Sequence, residues 1–193
     1  ECILHESCGQ LHHWHERHGN GSELRMSVNV SSRMLLQQGF VDTVASILAR
    51  KGLQPSSLAL EITESVLMEH THAALNAMVR LQNMGVHIHI DDFGTGYSSL
   101  SYLHAFPVNA LKIDRSFIAK LSAQGDNQEI VRTIITLAQN LRLEVIAEGV
   151  EQDQQLSAIR DLDCQYGQGF LFSKPLSSAD MDAWILSQNS RVN

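Results

Sequence analysis

Six polar residues near the ends of short apolar runs carry the chemistry this sequence can offer: Asn29, Glu61, Asp91, Asp92, Lys112 and Glu148. Side chains alternate between the two faces of a strand, so each run can be sorted by parity. Met26, Val28 and Val30 oppose Ser27, Asn29 and Ser31, while Leu58, Leu60 and Ile62 oppose Glu61 and Thr63. Val86, Ile88 and Ile90 oppose His87, His89 and Asp91; Leu111 and Ile113 oppose Lys112 and Asp114; Val145 and Ala147 oppose Glu144, Ile146 and Glu148. With the apolar parity packed on helices, Asn29, Glu61, Asp91, Lys112 and Glu148 face the inside of a curved sheet near the C-terminal strand ends. That is the end at which βα barrels place their active sites.

Four oxygen-bearing side chains and a lysine in one small volume need compensation, because like charges about 4 Å apart repel strongly in a partly buried site. Divalent cations supply it. Asn, Asp and Glu are the hard oxygen ligands of Mg²⁺, Mn²⁺ or Ca²⁺, and the adjacent Asp91 and Asp92 let one carboxylate bridge two ions. Two ions about 3.5 to 4 Å apart can activate a water and stabilise the leaving oxygen of a phosphodiester. A lone strand-end carboxylate is more often a helix cap or an ion-pair partner. Five positions of one parity favour a site, with some members orienting others.

The elements that must position these residues follow from periodicity: short β-like runs alternate with amphipathic helical stretches, the pattern of βα units on a parallel sheet. The strands are expected at Leu24 to Ser31, Leu58 to Thr63, Val86 to Asp91, Ala110 to Asp114, Glu144 to Glu148 and Gln165 to Phe172. The helices are expected at Cys2 to His18, Met34 to Lys51, Thr71 to Met84, Ser98 to His104, Asp126 to Leu141, Asp153 to Leu162 and Ala179 to Gln188. Gly52 with Pro55 and then Gly85 end the second and third helices, and Asp126 with Glu129 makes a capping box for the fifth.

A closed eight-unit barrel takes about 250 residues, with about 200 as a lower limit. Six units in 193 residues fall short of it. The expectation is one domain over residues 1–188 with a frayed tail at 189–193, incomplete before the Cys2 to His18 helix; the alternative is a complete six-stranded α/β sheet. The opening Glu1 in place of Met fits a piece of a longer protein. With 14 Lys and Arg against 21 Asp and Glu, the net charge of -7 argues against a surface that tracks a DNA or RNA duplex. Three cysteines without metal-type spacing argue against a disulfide framework or a zinc site and fit a reducing cytoplasm. No apolar run is long enough to suggest a membrane span.

Six motifs then occur in order: Ser27-Val28-Asn29-Val30-Ser31, Leu60-Glu61-Ile62-Thr63-Glu64-Ser65, Asp91-Asp92-Phe93-Gly94-Thr95-Gly96-Tyr97-Ser98-Ser99-Leu100, Leu111-Lys112-Ile113-Asp114-Arg115-Ser116-Phe117, Ala147-Glu148-Gly149-Val150-Glu151, and Gln168-Gly169-Phe170 through Ser173-Lys174-Pro175. They resemble the successive signatures of the EAL family of cyclic di-GMP phosphodiesterases, from about Cys2 to Leu186. The resemblance implies a TIM-like (βα)8 barrel of α/β class, here about six βα units with the first strand or strands missing. It implies metal-dependent hydrolysis of cyclic di-GMP to linear pGpG in bacterial signalling. The alternative within the same fold is a non-catalytic cyclic di-GMP receptor or a protein-interaction module.

By resemblance, Asn29, Glu61 and Asp91 hold one Mg²⁺ or Mn²⁺, and Asp91 bridges to a second held also by Asp92 and Glu148. Lys112 lies beside the nucleophilic water, where an ammonium stabilises developing anionic charge. Glu148 is divided between ligand and general base. Gln168, Phe170 and Pro175 match substrate-side positions. Glu64 matches the carboxylate that fixes the glycine-bearing loop Phe93 to Ser99, with Gly94 and Gly96, and Glu151 matches an outer carboxylate. That loop couples ligand binding to a homodimer contact in the family. The family's Glu-Ala-Leu strand does not occur in this sequence and is expected upstream of Glu1, in a cytoplasmic protein, or the cytoplasmic part of a membrane-anchored one, that carries further sensor or signalling domains. His87 and His89 read as packed polar residues, and the cluster His12 to His18 as a solvated helix face.

Overall fold

The computed structural model describes residues 2–18, 24–66, 71–96, 103, 105–121 and 127–189. A first helix, α1 (Cys2–His18), precedes β1 (Met26–Asn29), α2 (Ser32–Leu35), α3 (Phe40–Lys51), β2 (Leu58–Thr63), α4 (Thr71–Asn83) and β3 (His87–Phe93). Then follow β4 (Ala110–Ile113), α5 (Arg115–Ala119), α6 (Asn127–Asn140), β5 (Glu144–Glu148), α7 (Asp153–Asp161), β6 (Tyr166–Gln168) and α8 (Ser178–Asn189). All six strands are parallel and lie in chain order, β1-β2-β3-β4-β5-β6, curling into a half-barrel with flanking helices.

The parity expected from the sequence is the one observed. Val28, Leu58, Leu60, Ile62, Ile88, Ile90, Leu111, Ile113, Val145 and Ala147 are buried against the helices. On α6, Val131, Ile134, Ile135 and Ala138 are buried at the i, i+3, i+4, i+7 spacing of one helix face. On α3, Phe40, Val41, Val44, Ile47 and Leu48 do the same. Each large aliphatic side chain removed from water contributes about 1.5–3 kcal/mol to holding helix on sheet.

Several ends differ from expectation by one residue, and four elements differ by two or more. The helix expected from Met34 to Lys51 is two helices, because Gly39 between them adopts a left-handed backbone at φ 84° that α-helix does not permit. The strand expected from Leu24 to Ser31 stops at Asn29; the Ser31 hydroxyl accepts a bond from the Met34 N–H at 3.3 Å and caps α2. The strand expected from Gln165 to Phe172 stops at Gln168, where the chain turns through Gly169 and the Phe172 N–H donates to the Gly169 carbonyl. In the opposite sense β3 runs on to Phe93. The Ser98 to His104 helix, apart from Leu103, and the Asp126 half of the capping box lie outside the described residues.

The histidine-rich face of α1 is only partly solvated. Leu4, Cys8 and Leu11 of this helix are buried, and the His18 ring is almost fully enclosed, 3.3 Å from Asp182 of α8, which also pairs with Arg17 at 3.0 Å. These contacts tie the first helix to the last.

Candidate functional site

The centre of the site is a buried lysine. Lys112 rises from β4, 2% exposed, and its Nζ donates to Glu61 Oε2 at 2.6 Å on β2, Asp91 Oδ1 at 2.9 Å on β3 and Glu148 Oε1 at 2.7 Å on β5. An ammonium has three protons, and each finds one carboxylate. Burial alone would pull the lysine's pKa down; the hydrogen bonds it donates to Glu148, Glu61 and Asp91 outweigh it and hold the pKa well above the ordinary value, so the group is charged at any physiological pH. Glu148 responds in the other direction. Its pKa is raised, first by burial and also by the charges of Asp91 and Glu61, against the opposing effect of Lys112.

A β-bulge brings two consecutive aspartates to this cluster. Along β3 and β4, Ile90 pairs with Leu111 and Phe93 with Ile113, three steps on one strand against two on the other. The extra residue is Asp92, in a left-handed conformation at φ 54°, with its N–H donating to Asp91 Oδ1 at 3.1 Å. Side chains that strict alternation would send to opposite faces therefore converge. Asp91, Asp92 and Glu148 each offer a carboxylate oxygen within 4.8 Å of the others. The crowding shows in Asp92, whose pKa is raised by burial and by the neighbouring carboxylates of Asp91 and Asp114.

Such a donor set fits a hard divalent cation. Hard oxygens suit Mg²⁺ or Mn²⁺, and a cation would relieve the mutual repulsion that now leaves Lys112 as the compensating charge for three carboxylates. Asn29 lies at the end of β1, in register with Glu61 and therefore on the same face. Gln168 lies at the end of β6, in register with Glu148.

The glycine-bearing turn beyond the bulge is anchored from β2. Glu64 is buried, and its Oε2 accepts the Gly94 N–H at 3.1 Å; Gly96 also packs against the same carboxylate. Thr95 Oγ1 donates to the Asp92 carbonyl at 2.9 Å. Tyr97 to Leu100 of this motif lie outside the described residues.

Three expected positions stand apart from the cluster. Phe170 and Pro175 are exposed in the segment after β6, and Glu151 is exposed, with its backbone N–H bonded to Gln155 Oε1 at 2.7 Å. Two residues of the site went unread as such in the sequence. Asp114 caps α5 through the Ser116 N–H at 2.9 Å, a role its Asp-x-Ser spacing signals. Gly169 is needed because a Cβ there would run into the backbone of Val150, whose N–H bonds the Gln168 carbonyl at 3.0 Å. That close approach holds the β5 and β6 ends together beneath Glu148 and Gln168.

The EAL domain family matches residues 1–175. The chain belongs to the EAL domain family. This EAL domain is 42% identical over 183 residues to the cyclic di-GMP phosphodiesterase NbdA of Pseudomonas aeruginosa, covering 95% of this chain and 23% of that protein. It superposes on the EAL domain of Mycobacterium smegmatis DcpA with a TM-score of 0.90 at 39% identity, covering 96% of this chain and 82% of the other. It superposes on the phosphodiesterase PaMucR in complex with c-di-GMP with a TM-score of 0.86 at 41% identity, covering 93% of this chain and 77% of the other. The EAL domain spans less than a third of the length of the curated relatives it matches, 29% in the first of them.

Proposed function

We propose that this EAL domain hydrolyses cyclic di-GMP to linear pGpG with the help of divalent metal, most simply two Mg²⁺ or Mn²⁺ ions. The observation that carries the reading is the convergence of Glu61, Asp91 and Glu148 on one lysine, with Asp92 brought alongside by the bulge. Kinship with phosphodiesterases NbdA and PaMucR supports the substrate.

Asn29, Glu61, Asp91, Asp92 and Glu148 would hold the metal, which supplies an activated water and neutralises charge at the phosphate. With metal holding the carboxylates, Lys112 would have its ammonium free to stabilise negative charge growing on the water and the phosphoryl oxygens. Glu148, with a raised pKa, is suited to accept a proton from that water. The water oxygen bonds to phosphorus as the phosphorus bond to a ribose 3′ oxygen breaks; that oxygen takes up a proton to become a hydroxyl, and the product keeps a 5′ phosphate. Gln168, at the end of β6, and Phe170 and Pro175, exposed in the segment after it, are assigned to the substrate. Glu64 keeps the Gly94 and Gly96 turn in place, and Glu151 stands outside it.

The reading extends to a cytoplasmic homodimer that joins through the Phe93 to Ser99 turn and to further signalling domains in the same protein. The much greater length of the curated relatives supports the last part. None of the described helices is long and apolar enough to cross a membrane. The test is an assay of the full chain with cyclic di-GMP and Mn²⁺, following pGpG by chromatography, beside Lys112→Ala. Product formation with a drop of about 10²-fold or more in the variant supports the proposal. A variant as active as the parent would sink it.

A further inference from the structure

Below the carboxylate cluster the lumen contains polar atoms that no described residue satisfies. A cavity of about 900 Å³ opens there, with Arg25, Ser27, Ser57, His89, Glu144 and Tyr166 on its walls. None of Asp91, Asp92, Lys112 and Glu148 lines it. His89 is 2% exposed, yet neither of its ring nitrogens has a hydrogen-bond partner, and Nδ1 of His87 is buried and equally unpartnered. Leaving a buried donor or acceptor unmade carries its full desolvation cost, so three such atoms on neighbouring rings call for a polar occupant.

The two rings share one face of β3, two residues apart, with centroids 6.4 Å apart and planes at 79°. Ala59 pairs with His87, and His89 lies between Ala110 of β4 and Glu61 of β2. Of the two rings, His89 lines the cavity, and the alanine methyls at Ala59 and Ala110 put no bulk beside either ring on those sides. Residues two apart on a strand lie about 7 Å apart along it, a span that two imidazole arms can close around one ion at about 2.0–2.1 Å from each nitrogen.

We propose that His87 and His89 are a chelating pair for one divalent transition ion of the nitrogen-preferring class, Zn²⁺, Ni²⁺ or Cu²⁺, at the lower end of the lumen. The chemistry separates this site from the upper one: imidazole nitrogen favours these ions, whereas Mg²⁺ keeps to oxygen. Glu144 on the same cavity wall offers an oxygen for a third position by releasing Arg25, now 3.4 Å away. The proposal does not depend on phosphodiesterase activity, because it concerns other residues, another ligand class and a different end of the barrel.

The experiment is calorimetric titration of the full chain with ZnCl₂ in excess Mg²⁺, which keeps the oxygen cluster occupied. The expected result is one Zn²⁺ equivalent that survives the Mg²⁺ and binds at least tenfold more weakly in His87→Ala and in His89→Ala, while the double change His12→Ala with His13→Ala leaves it unaltered. Electron paramagnetic resonance of the parent chain with one equivalent of Cu²⁺ provides a readout that needs no variant, and two-nitrogen hyperfine structure is expected. A flat Zn²⁺ titration, as when water alone fills the cavity, would overturn the proposal. Parent-like affinity in either histidine variant, loss of binding in Asp91→Asn, or a Cu²⁺ spectrum without nitrogen coupling would do the same.

Discussion

Lys112 Nζ lies 2.6 Å from Glu61 Oε2, and this contact bridges β4 to β2 across the strand between them. The lysine thus ties the lumen together while occupying carboxylates that a metal would use. Its removal leaves three carboxylates facing one another without a counter-charge. Breaking a buried pair in this way costs about 3–5 kcal/mol. Lys112→Met should therefore melt well below the parent in EDTA. Mg²⁺ should raise the melting temperature of the variant more than that of the parent, because no ammonium competes for Glu61, Asp91 and Glu148. Equal Mg²⁺ shifts in differential scanning calorimetry would contradict this competition.

His89 gives the fold a dependence on mild acid. Its pKa falls from 6.5 to about 4, chiefly through burial and then through the nearby cations Arg25, His87 and Lys112, with Asp91 opposing. A folded-state pKa below the unfolded one means that the unfolded chain binds the extra proton, so stability is full above pH 6.5 and declines as pH falls toward 4. The loss amounts to at most about 3 kcal/mol. Denaturant midpoints between these pH values should fall more steeply for the parent than for His89→Ala, and parallel curves would refute the assignment.

Asp114 caps the start of α5, with the Ser116 N–H as its closest backbone donor. Asp114→Ala removes the acceptor for the Ser116 N–H and should cost about 1 kcal/mol in urea unfolding. Burial tends to raise the pKa of this carboxyl, but the bonds from Ser116 and Arg115 leave it lowered. The stabilisation is therefore present at neutral pH and fades as acid protonates the group. Asp114→Asn keeps an oxygen acceptor and should recover most of the loss.

Gly169 is the tightest point beside the site. An alanine there meets the Val150 backbone and must push β5 and β6 apart, at a cost of about 1–3 kcal/mol. Because Gln168 and Glu148 sit in register at the separated ends, Gly169→Ala should also weaken Mn²⁺ binding measured by calorimetry. Unchanged metal affinity in the folded variant would detach Gly169 from the site.

Much of this arrangement was legible in the sequence, for identifiable reasons. β2 and β5 begin and end at the expected residues, since Leu58 to Thr63 and Glu144 to Glu148 are bounded apolar runs with clear turns. The lumen-facing parity of Glu61, Lys112 and Glu148 needed only the two-residue period of a strand. The bulge at Asp92 was not legible, because a register shift depends on how β3 meets β4 and leaves no mark in the alternation of either. The break at Gly39 was hidden within apolar spacing that continues on both sides of it. His87 and His89 were read as packed polar residues; His89 is indeed buried, but packing leaves its nitrogens without partners, a property no local pattern contains.

The central claim is that the cluster around Lys112 turns over cyclic di-GMP through carboxylate-held metal. Its most direct test is the rate of pGpG formation by the full chain in saturating Mn²⁺, compared with Asp91→Asn under the same conditions. The account predicts turnover by the parent, abolished by EDTA, and a rate at least about 10²-fold lower in the variant. No pGpG from the parent, or an Asp91→Asn rate equal to it, would contradict the account.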